Sequence, residues 1–284
     1  MDVKVIAVIG AGIMGRGIAH VAALGGFRAI LNDISPELLK SADARIRGDM
    51  EKGVERGKLD TDRMAAALER LSFTTDFVEA ASHADLVIEA VPEKIELKVD
   101  IFSRLGEAAP AHAILASNTS GLSVTEMATP SGRPQKFIGM HFFNPVHKMK
   151  LVEIIRGLET DDATFETVQA VAVQMGRETV EINESPGFVT SRINALIGNE
   201  AFYMLQAGVG SARDIDKALK LGLNHPMGPF EMVDLVGLDT RLSILTFLHQ
   251  TLGEKYRPCP LLVKYVKAGR LGRKVGKGVY EYAD

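Results

Sequence analysis

Residues 3–22 read VKVIAVIGAGIMGRGIAHVA and combine three patterns in a fixed order. The apolar, β-branched run Val3–Ile9 predicts a buried strand, and helical spacing of apolar residues resumes shortly after it. Three glycines lie between the two patterns: Gly10, Gly12 and Gly15. In such a turn the first glycine makes the tight bend, the second lets backbone approach a pyrophosphate, and the third lets helix pack on strand. The stretch therefore predicts a dinucleotide site at a helix N-terminus, with Ile13 and Met14 among the loop residues that contact the cofactor.

A second apolar run, Arg28–Leu31, is followed by Asn32 and Asp33. An acid at the end of the second strand can accept hydrogen bonds from both ribose hydroxyls and repels a 2′-phosphate. Asp33 therefore favours NAD over NADP. The same acid could instead cap the next helix, because Ser35 followed by Pro36 is a typical helix start.

The composition indicates a globular protein and argues against several classes of partner. Of the 284 residues, 24% are charged and 46% hydrophobic, the ordinary balance of a globular chain long enough for two domains. A formal net charge of -3 provides no overall field for attracting nucleic acid or an anionic membrane, so neither is an expected partner. The single cysteine, Cys259, excludes an intramolecular disulfide and fits a reducing compartment. Charges or glycines interrupt every long apolar run, and no targeting segment is recognisable, so we expect a cytoplasmic protein.

The pattern of the chain changes near Ser185–Pro186–Gly187. Before this point short β-branched runs alternate with helical stretches, which predicts βαβ units and a largely parallel sheet. Beyond the first two, the predicted strands are Leu86–Ala90, Ala113–Ala116, Phe137–Phe143, Leu151–Ile155 and Thr179–Ile182. The predicted helices after the boundary are Val189–Gln206, Ala212–Leu221, Phe230–Val236 and Thr240–Leu252. The predicted fold class is α/β: a Rossmann-like dinucleotide-binding domain, residues 1–185, followed by an all-α helical domain, residues 186–284.

A histidine and a glutamate lie at matching distances on either side of a predicted turn. The apolar run Phe137–Phe143 contains His141 and stops at Asn144–Pro145. Strand character resumes at Leu151–Ile155, which contains Glu153. If the two runs pair as a hairpin, the two side chains face one another, and the carboxylate fixes the imidazole tautomer while the second ring nitrogen serves as a base. A histidine in an apolar strand is also common as a satisfied core residue, but the opposed glutamate favours a catalytic dyad.

Hydroxyl side chains follow the predicted strand Ala113–Ala116 in the segment Ser117–Asn118–Thr119–Ser120. Beyond the carboxyl end of a parallel strand they either contact a ligand or cap the next helix. The seven histidines form no HExxH or Cys/His pattern, so no metal site is predicted. The sequence contains no GxSxG nucleophile elbow, so nothing in it indicates a serine hydrolase.

Seven sequence blocks carry a resemblance that extends over essentially the whole chain. They are GAGIMGRGIA (10–19), EAVPE (89–93), SNTS (117–120), HFFNPVHKMKLVEII (141–155), SPGFV (185–189), HPMGPFEMVDLVGLD (225–239) and GRKVGKGVY (272–280). Together they resemble the 3-hydroxyacyl-CoA dehydrogenase family, and most closely its short bacterial members that act on four-carbon acyl chains. The resemblance implies reversible oxidation of the 3-hydroxyl of an L-3-hydroxyacyl-CoA with NAD, as in fatty-acid metabolism.

The resemblance also implies roles for particular residues. His141 would take the hydroxyl proton as general base while hydride leaves C3, and Glu153 would stabilise the imidazolium. Ser120 matches the serine that binds the reacting oxygen. Other residues match contacts to the cofactor or line the site in the family: Glu93, Lys98, Asn144 and Lys274.

One position departs from the family pattern. The family's catalytic asparagine falls on Ser191, whose shorter side chain has one donor rather than two. Two further interpretations stay open: a dehydrogenase of another hydroxyacid on the same scaffold and, because Ser191 replaces the asparagine, an NAD-binding protein with weak catalysis. The segment HFFNPVHKMKLVE (141–153) and the pair Lys52 and Arg56 argue against the first. Retention of His141, Glu153 and Ser120 argues against the second.

Binding of CoA requires cations near its phosphates. Lys52 and Arg56 lie four residues apart and correspond to the family's CoA-contacting helix, although a solvated surface helix is an equally simple interpretation. In the family the second domain forms a homodimer, and the apolar stretches Met227–Leu238 and Ile244–Leu248 suit such an interface. The resemblance places the active site in the cleft between the two domains.

Overall fold

One sheet organises the first part of the chain. The computed structural model describes residues 1–282, and within them eight strands share this sheet. They are β1 (Val5–Ile9), β2 (Arg28–Asn32), β3 (Leu71–Thr74), β4 (Leu86–Glu89), β5 (Ile114–Ser117), β6 (Phe137–Phe142), β7 (Leu151–Arg156) and β8 (Glu178–Asn183). Their order is β3-β2-β1-β4-β5-β6-β7-β8, and every pairing is parallel except that of β6 with β7. The first six strands follow the doubly wound order of dinucleotide-binding domains, which confirms the predicted fold class.

Helices connect these strands. They are α1 (Ile13–Leu24), α2 (Pro36–Glu55), α3 (Thr61–Glu69), α4 (Phe77–Ser82), α5 (Ile95–Ala108), α6 (Val124–Ala128) and α7 (Asp162–Gln174). Central strands of a parallel sheet are usually covered on both faces, so they read as continuous apolar runs. Accordingly Ile6, Val8 and Ile88 are fully buried, and Ile18 of α1 packs into the same core.

The strand β3 was not predicted from the sequence. Its four residues, Leu71–Ser72–Phe73–Thr74, alternate apolar and polar side chains, but this run is short and all four residues are only partly buried. Pairing with β2, from Ala29 opposite Leu71 to Asn32 opposite Thr74, is what makes this segment a strand. The alternation was the available signal, and it was too short to indicate a strand without the pairing partner.

The chain divides into two units, Met1–Ser185 and a second one that begins at Pro186. The helices of the second unit are α8 (Thr190–Gln206), α9 (Ala212–Gly222), α10 (Pro229–Val236), α11 (Leu238–Leu252) and α12 (Pro260–Lys267). Its core includes Phe202 and Phe230, whose rings meet edge to face at 5.2 Å. The short α12 was not predicted, and residues 283 and 284 of the predicted helical domain lie outside the described residues.

A buried carboxylate holds the final segment of the second unit. Asp234 accepts hydrogen bonds from the N–H groups of Val279 and Tyr280, and also from the hydroxyl of Tyr282. Gly278 packs so closely on Asp234 that any Cβ would collide with it. Across residues 1–282, no helix combines the length and the apolar character needed to cross a membrane.

Candidate active site

The three glycines after β1 have three different environments. Gly10 has a φ of 102°, and a Cβ there would lie 2.8 Å from the carbonyl oxygen of Ala90 on the neighbouring strand segment. A Cβ on Gly15 would collide with the carbonyl oxygen of Gly10, so this glycine brings α1 against the loop. A Cβ on Gly12 would meet nothing within 4 Å, which leaves the backbone open at the N-terminus of α1. This arrangement fits a dinucleotide pyrophosphate.

Asp33 follows β2 and is tied to the glycine loop. Its Oδ2 accepts a hydrogen bond from the Ala11 N–H at 2.7 Å, and its Oδ1 accepts one from the Ser35 N–H at 3.0 Å. The N-cap of α2 is Ser35, whose Oγ accepts from the Leu38 N–H. An ionised carboxylate has about four acceptor positions. Asp33 can therefore hold the loop and still accept hydrogen bonds from a ligand.

The predicted hairpin brings His141 and Glu153 together. The antiparallel pairing of β6 with β7 places them directly opposite one another, and His141 Nδ1 lies 2.7 Å from Glu153 Oε2. Glu153 is fully buried and His141 is 7% exposed. Because an ionised carboxylate can only accept, the pairing assigns the Nδ1 proton to this contact. Nε2 is then the ring nitrogen through which a proton could be exchanged, and the carboxylate lies beside the ring as a counter-charge.

The segment after β5 is held by Glu93. Its Oε1 accepts hydrogen bonds from Thr119 Oγ1 at 2.6 Å, the Ser120 N–H at 2.8 Å and Ser120 Oγ at 3.1 Å. Asn118, which the sequence analysis did not single out, accepts from the Phe142 N–H through Oδ1 at 3.0 Å. These bonds join the hydroxyl segment to the end of β6. Asn118 stands inside the SNTS block, which was the available signal.

A buried ion pair contacts both Glu93 and the end of β5. Lys98 Nζ lies 2.6 Å from Glu89 Oε1 and 3.2 Å from Glu93 Oε2, with Lys98 1% exposed and Glu89 fully buried. Glu89 also accepts from Ser117 Oγ and from the Val91 N–H. Burial raises the pKa of the Glu89 carboxyl, while Lys98 and the donated hydrogen bonds oppose that shift. The signal that could have revealed Glu89 is its position at the end of an otherwise apolar strand.

One cavity of about 330 Å³ within the first unit collects five of the predicted residues. They are Met14, Glu93, Ser120, His141 and Asn144. The cavity therefore combines a residue next to the glycine loop, a hydroxyl and a carboxylate-paired imidazole. Such an arrangement can bind an oxygen atom and exchange a proton with it.

Other predicted residues lie elsewhere. Ile13 is 58% exposed and lines a different, smaller cavity of the first unit. Lys52 and Arg56 are exposed at the C-terminal end of α2, where cations also complement the helix dipole. Ser191 lies in the first turn of α8, and Lys274 forms an ion pair with Asp239 at 2.6 Å.

Comparison with known families identifies the family to which the chain belongs. Residues 5–185 match the family model described as "3-hydroxyacyl-CoA dehydrogenase, NAD binding domain", and residues 187–282 match "3-hydroxyacyl-CoA dehydrogenase, C-terminal domain". The chain belongs to the 3-hydroxyacyl-CoA dehydrogenase family. The family predicted from the seven sequence blocks is thereby confirmed, as is NAD as the cofactor. This 3-hydroxyacyl-CoA dehydrogenase is an NAD-dependent enzyme whose first unit is the NAD-binding domain.

Individual relatives of this 3-hydroxyacyl-CoA dehydrogenase cover its full length. It is 48% identical to the "Probable 3-hydroxybutyryl-CoA dehydrogenase" of Bacillus subtilis, over 100% of this chain and 99% of the relative. It is also 48% identical to the 3-hydroxybutyryl-CoA dehydrogenase of Bradyrhizobium diazoefficiens, over 99% and 96% of the two chains. The crystal structure of (S)-3-hydroxybutyryl-CoA dehydrogenase from Ralstonia eutropha superimposes with a TM-score of 0.96 at 40% identity, covering 100% of both chains.

Proposed function

We propose that the enzyme interconverts L-3-hydroxybutyryl-CoA and acetoacetyl-CoA, with His141 and Glu153 as the catalytic dyad. The observation that carries this proposal is the 2.7 Å contact between the two buried side chains at a cavity that also contains Ser120. A proton-exchanging imidazole beside a hydroxyl suits the oxidation of a secondary alcohol, because the alcohol must lose its proton as hydride leaves the carbon.

His141 acts as general base in the oxidative direction. Its Nε2 takes the proton of the 3-hydroxyl, and Glu153 stabilises the imidazolium that results. Because Glu153 is fully buried, its carboxylate acts at short range through a medium of low dielectric constant, so it stabilises the positive charge that develops on the ring. In the reductive direction the same Nε2 returns the proton to the oxygen of the former ketone.

Ser120 positions the reacting oxygen. Its Oγ now donates to Glu93 at 3.1 Å, and the Ser120 N–H donates to the same carboxylate at 2.8 Å. The backbone contact and the contact of Thr119 can hold the segment while the Ser120 hydroxyl turns towards a substrate oxygen. Glu93 is thus a positioning residue for Ser120.

The glycine loop and Asp33 hold the cofactor in this proposal. NAD, when bound, supplies the acceptor for the hydride that leaves C3. The open backbone at Gly12 would receive the pyrophosphate, and Asp33 would accept hydrogen bonds from the adenosine ribose. A 2′-phosphate on that ribose would be repelled by the same carboxylate.

Two further features support a short acyl-CoA substrate. Relatives 48% identical to the chain carry the name 3-hydroxybutyryl-CoA dehydrogenase, and the aromatic residues Phe142 and Phe143 line the 330 Å³ cavity. Lys52 and Arg56 are exposed cations with no ion-pair partner among residues 1–282, which suits contact with the CoA phosphates. One methylene changes discrimination by about 1–3 kcal/mol, so longer chains should react more slowly rather than be excluded.

A homodimer is part of the same proposal. Apolar side chains of α9 and α10 are exposed in the single chain: Leu221 is 76% exposed and Leu235 is 50% exposed. Leu223, just after α9, is 66% exposed. Exposed leucines of this kind favour burial against a second copy.

The decisive test follows NADH oxidation with acetoacetyl-CoA, and then with free acetoacetate and with NADPH. We expect rapid turnover with NADH and acetoacetyl-CoA, much slower turnover without the CoA moiety, and slow turnover with NADPH. Equal rates with and without CoA would refute the acyl-CoA substrate and favour another hydroxyacid. Tight NADH binding without turnover of either ketone would identify a binding protein with weak catalysis.

Replacement of Ser191 with asparagine should improve catalysis. The resemblance places a catalytic asparagine at this position, and the change restores a longer side chain with two donors. We expect kcat/KM for acetoacetyl-CoA to rise by an amount equivalent to about 1–3 kcal/mol, the usual effect of satisfying a buried polar contact. Steady-state kinetics of Ser191→Asn and of Asn194→Ser decide the matter. No gain in Ser191→Asn together with a loss in Asn194→Ser would assign the role to Asn194, one helical turn further along α8.

A further inference from the structure

A second cavity in the first unit, about 40 Å³ in volume, brings together two histidines and an aspartate. His20 comes from α1, Asp49 from α2, and His147 from the segment between β6 and β7. One ligand atom of each side chain lies within 4.8 Å of those of the other two. We propose that His20, Asp49 and His147 bind a transition-metal ion such as Zn²⁺. Such a site goes beyond the proposed function, since neither the dyad nor the glycine loop requires it.

The donor set selects the class of ion. Two imidazoles and one carboxylate are a donor set of zinc and of neighbouring first-row metals, which bind nitrogen readily. Magnesium and calcium prefer oxygen ligands, so a site with two imidazole ligands should bind them weakly. A cavity of about 40 Å³ exceeds the roughly 10–15 Å³ that one water molecule needs, so it has room for an ion with a water as fourth ligand.

The three side chains have no competing protein partners. Among residues 1–282, no hydrogen bond or ion pair to another protein group uses the side chain of His20, Asp49 or His147. His20 is 4% exposed, and its ring lies parallel to that of His147 with centroids 5.6 Å apart. Two stacked imidazoles that face a small polar cavity need water or a metal ion to satisfy their nitrogens.

Close packing holds His147 near α1. A Cβ on Gly17 would lie 2.8 Å from the Cβ of Val146, so the absence of a side chain at Gly17 lets this segment approach the helix. Gly17 and His20 are three residues apart and share one face of α1, which aligns His20 with the residue after Val146. Arg177 also holds the segment, because its guanidinium donates to the carbonyl oxygens of Val146 and Met149 at 2.9 and 2.7 Å.

Two features of the site oppose binding of the metal ion: the spacing of the three side chains and the nearby positive charges. Ligand atoms around a tetrahedral zinc lie about 3.4 Å apart for bonds of about 2.1 Å, so the three side chains must draw together by up to roughly 1.4 Å. Three cations lie close enough to His147 to lower the pKa of its imidazole: Arg16, Lys148 and Arg177. They oppose a divalent ion, and Asp49 provides the only carboxylate of the three ligands. We therefore expect a moderate affinity, with dissociation constants in the micromolar range.

Metal binding would connect three elements that also contribute to the active site. The segment containing His147 begins at Asn144, which lines the cavity of the dyad, and Asp49 lies one turn before Lys52 on α2. An ion held by His20, Asp49 and His147 would fix α2 and this segment against α1. The expected result is a stiffer first unit.

The test is a metal titration of the full-length chain without an affinity tag, after removal of bound metal with a chelator. Calorimetry with Zn²⁺, and visible absorption of Co²⁺, should report one ion per chain. We expect His147→Gln to lower the affinity at least about tenfold. The matched control is His83→Gln, since His83 is an exposed histidine of the same unit. At about 100 times its dissociation constant, Zn²⁺ should raise the melting temperature by roughly 5 °C in the wild type and His83→Gln.

Several outcomes would overturn the proposal. One is the absence of saturable binding of one ion in the wild type, and another is equal affinity in His147→Gln and His83→Gln. Binding that persists in His147→Gln but disappears in His141→Ala would assign the ion to the dyad instead. His147 is only partly buried, so His147→Gln should remain folded even if a change at the buried His20 does not. These readouts do not depend on turnover, so they stay informative whichever substrate the enzyme uses.

Discussion

His141→Ala should lower the turnover of acetoacetyl-CoA by about 10²–10⁴-fold, the usual contribution of a positioned general acid or base. The variant lacks the imidazole that exchanges the substrate proton, and it leaves Glu153 as a buried carboxylate without this partner. The affinity for NADH should remain within a small factor of the wild-type value, because Gly10, Gly12 and Asp33 are unchanged. Steady-state kinetics and fluorescence titration of NADH separate the two effects.

Two further variants make the His141 experiment specific. His83→Ala removes an exposed histidine of the same unit and should leave turnover unchanged. Glu153→Gln keeps the shape of the side chain but removes its charge, so it should reduce turnover by weakening the imidazolium. Turnover of His141→Ala above about a tenth of the wild-type rate would show that another group exchanges the proton, since even a modest general base contributes about 10²-fold.

Lys98→Met should cause the largest loss of stability among the changes considered for the first unit. The variant leaves Glu89 fully buried without the ammonium that lies 2.6 Å from its carboxylate. Breaking a buried ion pair by removing one partner typically costs about 3–5 kcal/mol of the free energy of unfolding. Urea denaturation at pH 8, followed for the unfolding of the first unit, measures this loss.

The pH dependence of the Lys98→Met defect provides a sharper test. Burial raises the pKa of Glu89, and loss of Lys98 removes the main interaction that opposes this shift. A carboxyl whose pKa is higher in the folded than in the unfolded state favours folding more as the pH falls. The difference in unfolding free energy between the variant and the wild type should therefore shrink between pH 8 and pH 5.5.

The control for this experiment is Lys94→Met. Lys94 is exposed and immediately precedes α5, the helix that contains Lys98, so its replacement removes one nearby positive charge without touching the buried pair. We expect its effect on unfolding free energy to lie within about 0.5 kcal/mol. Equal losses for Lys94→Met and Lys98→Met would show that the buried pair does not stabilise the first unit. A Lys98 defect that stays constant with pH would show that the Glu89 charge is not its cause.

The elements that sequence analysis predicted share a physical feature: their signals are local. The strand, glycines and helix of residues 3–22 lie within one βα unit, and the structure places them in that order. The pairing of His141 with Glu153 follows from a hairpin, whose register depends on the length of the connection and on the apolar pattern of its strands. The fold class and the family were predicted correctly on these signals, whereas the catalytic roles remain predictions for the experiments above.

Other parts of the site depended on contacts that no local pattern records. Glu93 holds Ser120 because parallel strands β4 and β5 end at the same edge of the sheet, which brings together two segments that follow different strands. Lys98 matched a cofactor-contacting residue by resemblance, but its side chain is 1% exposed and paired with Glu89. Burial of this kind depends on everything packed around a side chain, so spacing alone could not predict it.

The sequence by itself determined the doubly wound βα pattern, the glycine loop, the opposition of His141 and Glu153, and membership of the 3-hydroxyacyl-CoA dehydrogenase family. Each depends on backbone conformations and pairings set by neighbouring residues. Only the tertiary structure decided which charged groups are buried together, as with Glu89 and Lys98, and which distant side chains share a cavity, as with His20, Asp49 and His147. The physical reason is that desolvation and ligand geometry depend on distances in space, and packing of α1, α2 and the segment after β6 sets those distances.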